Sequence, residues 1–246
     1  GWVRVSVGMK EYTVKAPAEL TRISIEIIAD ELKNPAVKLV ALSGPTHAEE
    51  VAKDMPTTIV SACEDAAAAN LVQAVFTTGC MRVYTNDDVH GVELCGALKN
   101  VIALCAGIVD GLGMGDNTKA ALMTRGLAEI ARLGIAMGAQ ERPFAGLSGM
   151  GDLMVTCGSM HSRNLRAGIL IGRGETVENT IRQVGTVEGY LAAKAAWDLA
   201  RQNGVAMPIV EQCYYVCYEG KDPRQAVFDL MERPVGAEDE PLWLCG

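Results

Sequence analysis

Lys99 is the only cation in the run ELCGALKNVIALCAGI, residues 93–108. An ammonium placed in such an apolar segment is costly unless it is paired or used. Two readings fit. The side chain can snorkel from a buried helix to water. Alternatively, partial burial and neighbouring charges depress its pKa and make it a general base for a substrate hydroxyl. Glu93 and Asn100 are seven residues apart and share a helical face beside Lys99. Three polar groups are therefore expected to converge on an otherwise apolar helix.

A second chemical stretch is SGMGDLMVTCGSMHSRN, residues 148–164. Its glycines let the backbone turn tightly or approach a ligand, and they bracket one acid, Asp152. That acid reads either as a ligand-facing group or as a cap in a Gly-rich connection between helices. The run His161-Ser162-Arg163-Asn164 opens a helix. Ser162 is suited to cap it, and Arg163 beside free backbone N–H groups would make a phosphate site. The alternative is an ordinary capped helix with a solvated arginine, and His161 reads as structural or exposed. In LSGPTHAEE, residues 42–50, a Gly-Pro-Thr turn follows a strand, the place where open α/β sheets bind ligands. Thr46 there equally reads as an N-cap, with Glu49 completing a capping box. Gly111-Leu112-Gly113-Met114-Gly115 imitates a phosphate loop, but it follows a helix at the wrong spacing. It reads as a flexible joint between two helices.

The elements that must position these groups divide the chain in two. Over residues 1–88 strand and helix patterns alternate: VRVSV, a helical spacing of Leu20, Ile23, Ile27 and Leu32, strands in VKLVALSG and TTIVSAC, a helix over 64–76 and a strand in MRVYTN. Such alternation predicts a parallel sheet. Over residues 89–246 the pattern is all helical. Asp116-Asn117-Thr118 is expected to cap a helix running to about Gly138, with further helices over 164–172, 186–203 and 208–219. Asp222-Pro223 starts a last one, which Pro234 ends.

The chain has 246 residues, 49% of them hydrophobic and 21% charged, which suits one large domain or two modest ones. A net charge of -8 argues against a nucleic-acid partner and requires a local cluster of cations for any anionic substrate. The eight cysteines form no CxxC pair, and Cys95, Cys105, Cys213 and Cys217 sit in apolar helical patterns as small hydrophobes. With the histidines scattered, no zinc site is expected, and a reducing cytoplasm is the expected compartment. No secretory segment opens the sequence. The apolar run 101–109 is too short to span a bilayer, so no transmembrane segment is expected. Apolar helices such as 208–219 leave room for a homodimer.

Taken together, these stretches resemble the bacterial NAD(P)-dependent glycerol-3-phosphate dehydrogenases. SGPTHAEEVAKDMPTTIV, ELCGALKNVIALCAGIVDGLGMGDNTKAALMTRGLAEI, GLSGMGDLMVTC, HSRN and TVEGY occur in that family's order and at about its spacing, from Ser43 to Pro234. The resemblance implies the distal part of a Rossmann-like sheet followed by an all-α substrate domain, with the site in the cleft between them. It implies interconversion of dihydroxyacetone phosphate and sn-glycerol 3-phosphate with NADH or NADPH, for glycerophospholipid synthesis. Lys99 is then the proton acceptor at the C2 hydroxyl. Gly44, Thr46, Asp152, Ser162, Arg163 and Asn164 become substrate contacts. Ala48, Arg163, Thr186 and Glu188 become cofactor contacts. The family's substrate-contacting lysine near its start is matched in VSVGMKEY by Lys10 one place late, or by Met9 in register. The family also begins with a strand and a GxGxxG turn that are not found before Gly1, so the chain is expected to be truncated and poorly active alone. Two other readings are a related 3-hydroxy acid dehydrogenase and a non-catalytic helical remnant that acts as an interaction module.

Overall fold

A computed structural model describes residues 2–7, 10–15 and 24–236. Met9, Leu20 and Ile23 lie outside the described residues. Strands β1 (Trp2–Val7) and β2 (Lys10–Lys15) form an antiparallel hairpin, with Trp2 opposite Lys15 and Val7 opposite Lys10. Helix α1 (Ser24–Leu32) follows, and then a three-stranded sheet of order β3-β4-β5.

The sheet is mixed rather than all parallel. Strand β4 (Thr57–Ala62) runs parallel to β5 (Met81–Asn86), with Thr57 opposite Met81 and Ala62 opposite Asn86. Strand β3 (Ala41–Ser43) is antiparallel to β4, which corrects the all-parallel expectation for this pair. The connections explain the difference. A parallel neighbour needs a crossover of about a dozen residues or more, normally a helix. Between β4 and β5 that is α3 (Ala66–Phe76), whose N-terminus is capped by the Asp65 carboxylate accepting from the Ala67 and Ala68 N–H groups. Between β3 and β4 lies only the single turn α2 (Ala48–Val51), with left-handed backbone at Asp54, φ 54°. The chain turns back on itself there and β4 enters reversed. A small core of Val60, Ala62, Val89 and Val92 joins this sheet to the start of the next helix.

That helix, α4 (Val89–Leu112), organises the second part. Asp88 caps it by accepting from the Gly91 N–H at 2.9 Å, and Gly113 ends it in the left-handed region, φ 70°. It is longer than its uncharged run suggested, and by length and composition alone it is apolar enough to cross a membrane. Its faces are instead covered by α5 (Gly115–Ala136), α7 (Asp152–Gly158), α8 (Arg163–Gly172) and α10 (Glu188–Gln202), so it is the core helix of this domain. The closest approach is to α8. A Cβ at Gly107 would run into the Leu165 carbonyl, and one at Gly168 into the Leu104 carbonyl. Only glycine on both surfaces lets the two backbones meet.

The structure corrects several other expectations. Helix α5 begins at Gly115, and Met114 precedes it without a side-chain cap, so Asp116 and Thr118 lie inside its first turn. Thr118 Oγ1 donates back to the Met114 carbonyl, and Asp116 faces the positive end of the helix dipole. The 111–115 run joins two helices, as read from its spacing. The Gly-rich stretch is helical rather than a connection. After α6 (Arg142–Ala145) comes a π turn (Leu147–Gly151) that runs directly into α7. Gly149 there packs on the Phe144 backbone, where any side chain would collide. Helix α9 (Val177–Val184), capped by Thr176 Oγ1 accepting from the Asn179 N–H, had no counterpart in the pattern reading.

Helices α11 (Pro208–Tyr218) and α12 (Pro223–Met231) close the domain, and no strand occurs among the described residues after Asn86. The apolar face of α11 (Ile209, Val210, Cys213, Val216 and Cys217) is buried within the chain's own core. Cys95, Cys105, Cys213 and Cys217 are free thiols in that core.

Candidate functional site

The middle of α4 and the first turn of α7 bring Lys99 and Asp152 together. The Lys99 ammonium forms an ion pair with Asp152 Oδ2, with side-chain exposures of 17% and 9%. Lys99 Nζ also donates to Thr156 Oγ1 at 3.2 Å, and that hydroxyl donates to the Asp152 backbone carbonyl at 2.6 Å. Asp152 and Thr156 are one helical turn apart, so α7 presents both to the lysine. Burial pushes the Asp152 carboxyl above its ordinary range, while the adjacent Lys99 and the Thr156 hydroxyl pull it back. A buried carboxylate of this kind holds a lysine in one place.

A polar cavity of about 230 Å³ opens on this pair, lined by Leu42, Ser43, Gly44, Thr46, His47, Gly96, Lys99, Asp152 and Thr156. The turn after β3 thus faces α4 and α7. Gly44 has φ 144°, and a side chain there would crowd the Ile59 backbone of β4. Thr46 does not cap α2: its hydroxyl donates to the Gly44 carbonyl at 3.2 Å, and His47 holds the N-cap position without a side-chain bond. Glu49 therefore completes no capping box. Of the expected site residues, Gly44, Thr46, Lys99 and Asp152 line one cavity.

A second cluster lies one residue along α4. Asn164 Nδ2 donates to Asn100 Oδ1 at 3.0 Å, and Asn164 Oδ1 accepts from the Gly189 N–H at 2.8 Å. This ties α8 and α10 to α4. A Cβ at Gly189 would strike the Asn100 carbonyl, so the VEG stretch needs its glycine. Ser162 is buried and caps α8 by accepting from the Leu165 N–H at 3.2 Å. Arg163 Nη2 donates to Glu188 Oε1 at 2.5 Å, with side-chain exposures of 46% and 42%, and it does not line the Lys99 cavity. Glu93 also turns away: it accepts from the Ile25 N–H at 3.2 Å. The expected convergence of Glu93, Lys99 and Asn100 is therefore replaced by three separate attachments along one helix. Ala48 and Thr186 are exposed, at the start of α2 and just before α10, and Lys10 begins β2.

Thr156 and His47 were missed from sequence. Thr156 carried a signal, standing four residues after Asp152, but it counts only once the segment is known to be helical. His47 sat unnoticed beside the Gly-Pro-Thr turn.

An α/β segment leading into an all-helical domain, with a buried lysine–aspartate pair at their junction, defines the class of protein. The comparisons with known proteins say which. The family model described as NAD-dependent glycerol-3-phosphate dehydrogenase C-terminus matches residues 88–228, and the N-terminus model of the same family matches residues 3–69. The chain belongs to the NAD-dependent glycerol-3-phosphate dehydrogenase family. The glycerol-3-phosphate dehydrogenase [NAD(P)+] of Desulfitobacterium hafniense is 56% identical over 220 residues, which is 89% of this chain and 62% of that protein. The enzyme of the same name from Clostridium tetani is 53% identical over 233 residues, 94% of this chain and 64% of that protein. The chain thus spans somewhat less than two thirds of the length of these relatives. The crystal structure of glycerol-3-phosphate dehydrogenase from Coxiella burnetii superposes with a TM-score of 0.81 at 38% identity, covering 86% of this chain and 65% of that one.

Proposed function

We propose that this chain carries the substrate-binding and proton-transferring part of an NAD(P)-dependent sn-glycerol-3-phosphate dehydrogenase, which interconverts dihydroxyacetone phosphate and sn-glycerol 3-phosphate. The observation that carries this reading is the Lys99–Asp152–Thr156 constellation, open to a cavity whose opposite wall is the Gly-Pro-Thr turn. Lys99 Nζ gives a proton to the C2 oxygen of the ketone and takes it back from the alcohol in the reverse direction. Asp152 holds the ammonium and compensates its charge, and Thr156 fixes its direction. NADH or NADPH, when bound, supplies the hydride.

The residues present suit such a cofactor. Ala48, Thr186 and the exposed Arg163–Glu188 pair lie on open surface rather than in the core, and a guanidinium suits an anionic ligand. Ser162 and Asn164, buried on either side of Arg163 in the chain, and Lys10 are kept as further substrate contacts. The division falls at residues 1–88, the distal dinucleotide-binding part, and 89–246, the substrate domain. The free thiols among the described residues support a reducing, cytoplasmic setting for glycerophospholipid synthesis.

Substrate choice tests the reading. Dihydroxyacetone phosphate should drive oxidation of NADH or NADPH, and a 3-oxo acid should not. Arg163→Ala should raise KM for the phosphorylated substrate by about 10- to 100-fold, the cost of losing a charge-assisted contact. Preference for the 3-oxo acid would replace this function with that of a 3-hydroxy acid dehydrogenase.

A further inference from the structure

A groove of about 950 Å³ lies between α5, α11 and α12, and it shares no lining residue with the Lys99 cavity. Its apolar wall is built by Leu122 from α5, Ile209 from α11, and Val227 and Leu230 from α12. Three guanidiniums, those of Arg125, Arg132 and Arg233, line it as well, against one acid among the described residues, Glu129. That acid is already held by the Ile209 and Val210 N–H groups, and Arg132 Nη2 donates to the Ala206 carbonyl at 3.0 Å. In a chain of net charge -8, this is a local concentration of positive charge beside an apolar surface.

The groove begins where α12 ends. Arg233 and Pro234 belong to its lining, so the chain leaves α12 at the groove's rim. The sequence beyond the described residues is AEDEPLWLCG, residues 237–246: three consecutive acids, a proline and then Leu242-Trp243-Leu244. Its two halves match the two kinds of wall, carboxylates for the guanidiniums and an apolar triplet for the aliphatic side chains. The reach is sufficient. The α5 face from Asn117 to Arg132 is about 22 Å long at the helical rise. The residues from Pro234 to Leu244 span at most about 35 Å. Covalent linkage also gives a segment of the same chain an effective concentration on the order of millimolar, an advantage no separate partner has.

We propose that this groove is the docking site for residues 238–244 of the same chain, with Glu238, Asp239 and Glu240 toward the three arginines and Leu242, Trp243 and Leu244 over the apolar wall. The segment then acts as a strap that ties the end of α12 to α5. Burying Trp243 removes a large aromatic surface from water, and the groove loses an exposed apolar patch in the same step.

The test reads Trp243 in the full chain by fluorine NMR. Fluorotryptophan replaces the three tryptophans, Trp243→Phe assigns the resonance, and an inert gadolinium chelate broadens whatever it can approach. Trp243 should be shielded from the chelate in the chain and open to it in a synthetic peptide of residues 237–246. Arg125→Glu, at an exposed position, removes one charge-assisted contact and should lower the ratio of docked to free segment about tenfold. Arg182→Glu on α9 changes the net charge equally and should leave that ratio unchanged. Trp243 as open in the chain as in the peptide would overturn the proposal, and so would equal effects of the two charge reversals. Shielding that grows with protein concentration would assign the groove to the segment of a second copy and overturn it likewise.

Discussion

At Asp152 two opposing electrostatic effects meet: loss of solvent raises its carboxyl, and the Lys99 ammonium lowers it. Thr156 keeps the two side chains in register, because its hydroxyl accepts from Lys99 while donating to the Asp152 carbonyl. Its contact is with Lys99, so Thr156→Val should reduce kcat by about tenfold and leave KM nearly unchanged, a split that steady-state kinetics measures directly. An equal change in KM would place the hydroxyl on the substrate instead. At this scale the sequence was informative where a residue type was out of place. A lone lysine in an apolar run and a lone acid among glycines are both anomalies against burial preferences. Thr156 and His47 break no such rule, and they acquire roles only from what the fold sets beside them. Arg163 was legible as a cation at a helix start, but its pairing with Glu188, 25 residues on, is tertiary.

Among the elements, α4 and α8 depend on the least compressible contact. Gly107 and Gly111 on one helix meet Gly168 and Gly172 on the other, each with its potential Cβ direction filled by backbone of the opposite helix. Gly168→Ala adds one methyl group with nowhere to go. It should destabilise the fold by about 1–3 kcal/mol, the usual cost of overpacking, despite alanine's higher helix propensity. Denaturant unfolding measures this; a stabilised variant would mean the helices are further apart than described. Helix positions were legible because apolar periodicity and caps such as Ser162 and Asp222 are local signals. The signal for α9 was available as well, in Thr176 followed by Val177, Ile181 and Val184 at helical spacing. The π turn and the reversal of β3 were not legible. The first accompanies the packing of Gly149 on Phe144, and the second follows from how little helix separates β3 from β4, and strand direction has no period in the sequence.

Across the whole molecule, one buried acid couples stability to pH. Glu129 on α5 accepts from the Ile209 and Val210 N–H groups at the start of α11, and burial pushes its carboxyl up to about 7 from 4.5. A carboxyl raised on folding binds its proton more tightly in the native state. Its contribution is therefore fully present below the ordinary value and is lost as pH rises from about 4.5 to about 7. The loss is at most on the order of 3 kcal/mol, and Glu129→Gln should flatten that part of the stability profile in denaturant titrations. An unchanged slope in the variant would assign the dependence elsewhere. The central claim concerns the other buried acid and its lysine. It is tested most directly by measuring sn-glycerol 3-phosphate formed from dihydroxyacetone phosphate with NADH or NADPH, by the parent chain and by Lys99→Ala at equal folded concentration. For a chain expected to be poorly active alone, the account predicts a low parent rate and a further loss of about 10²- to 10⁴-fold in the variant, the usual worth of a positioned acid–base group. Equal, measurable rates in the two proteins would contradict it.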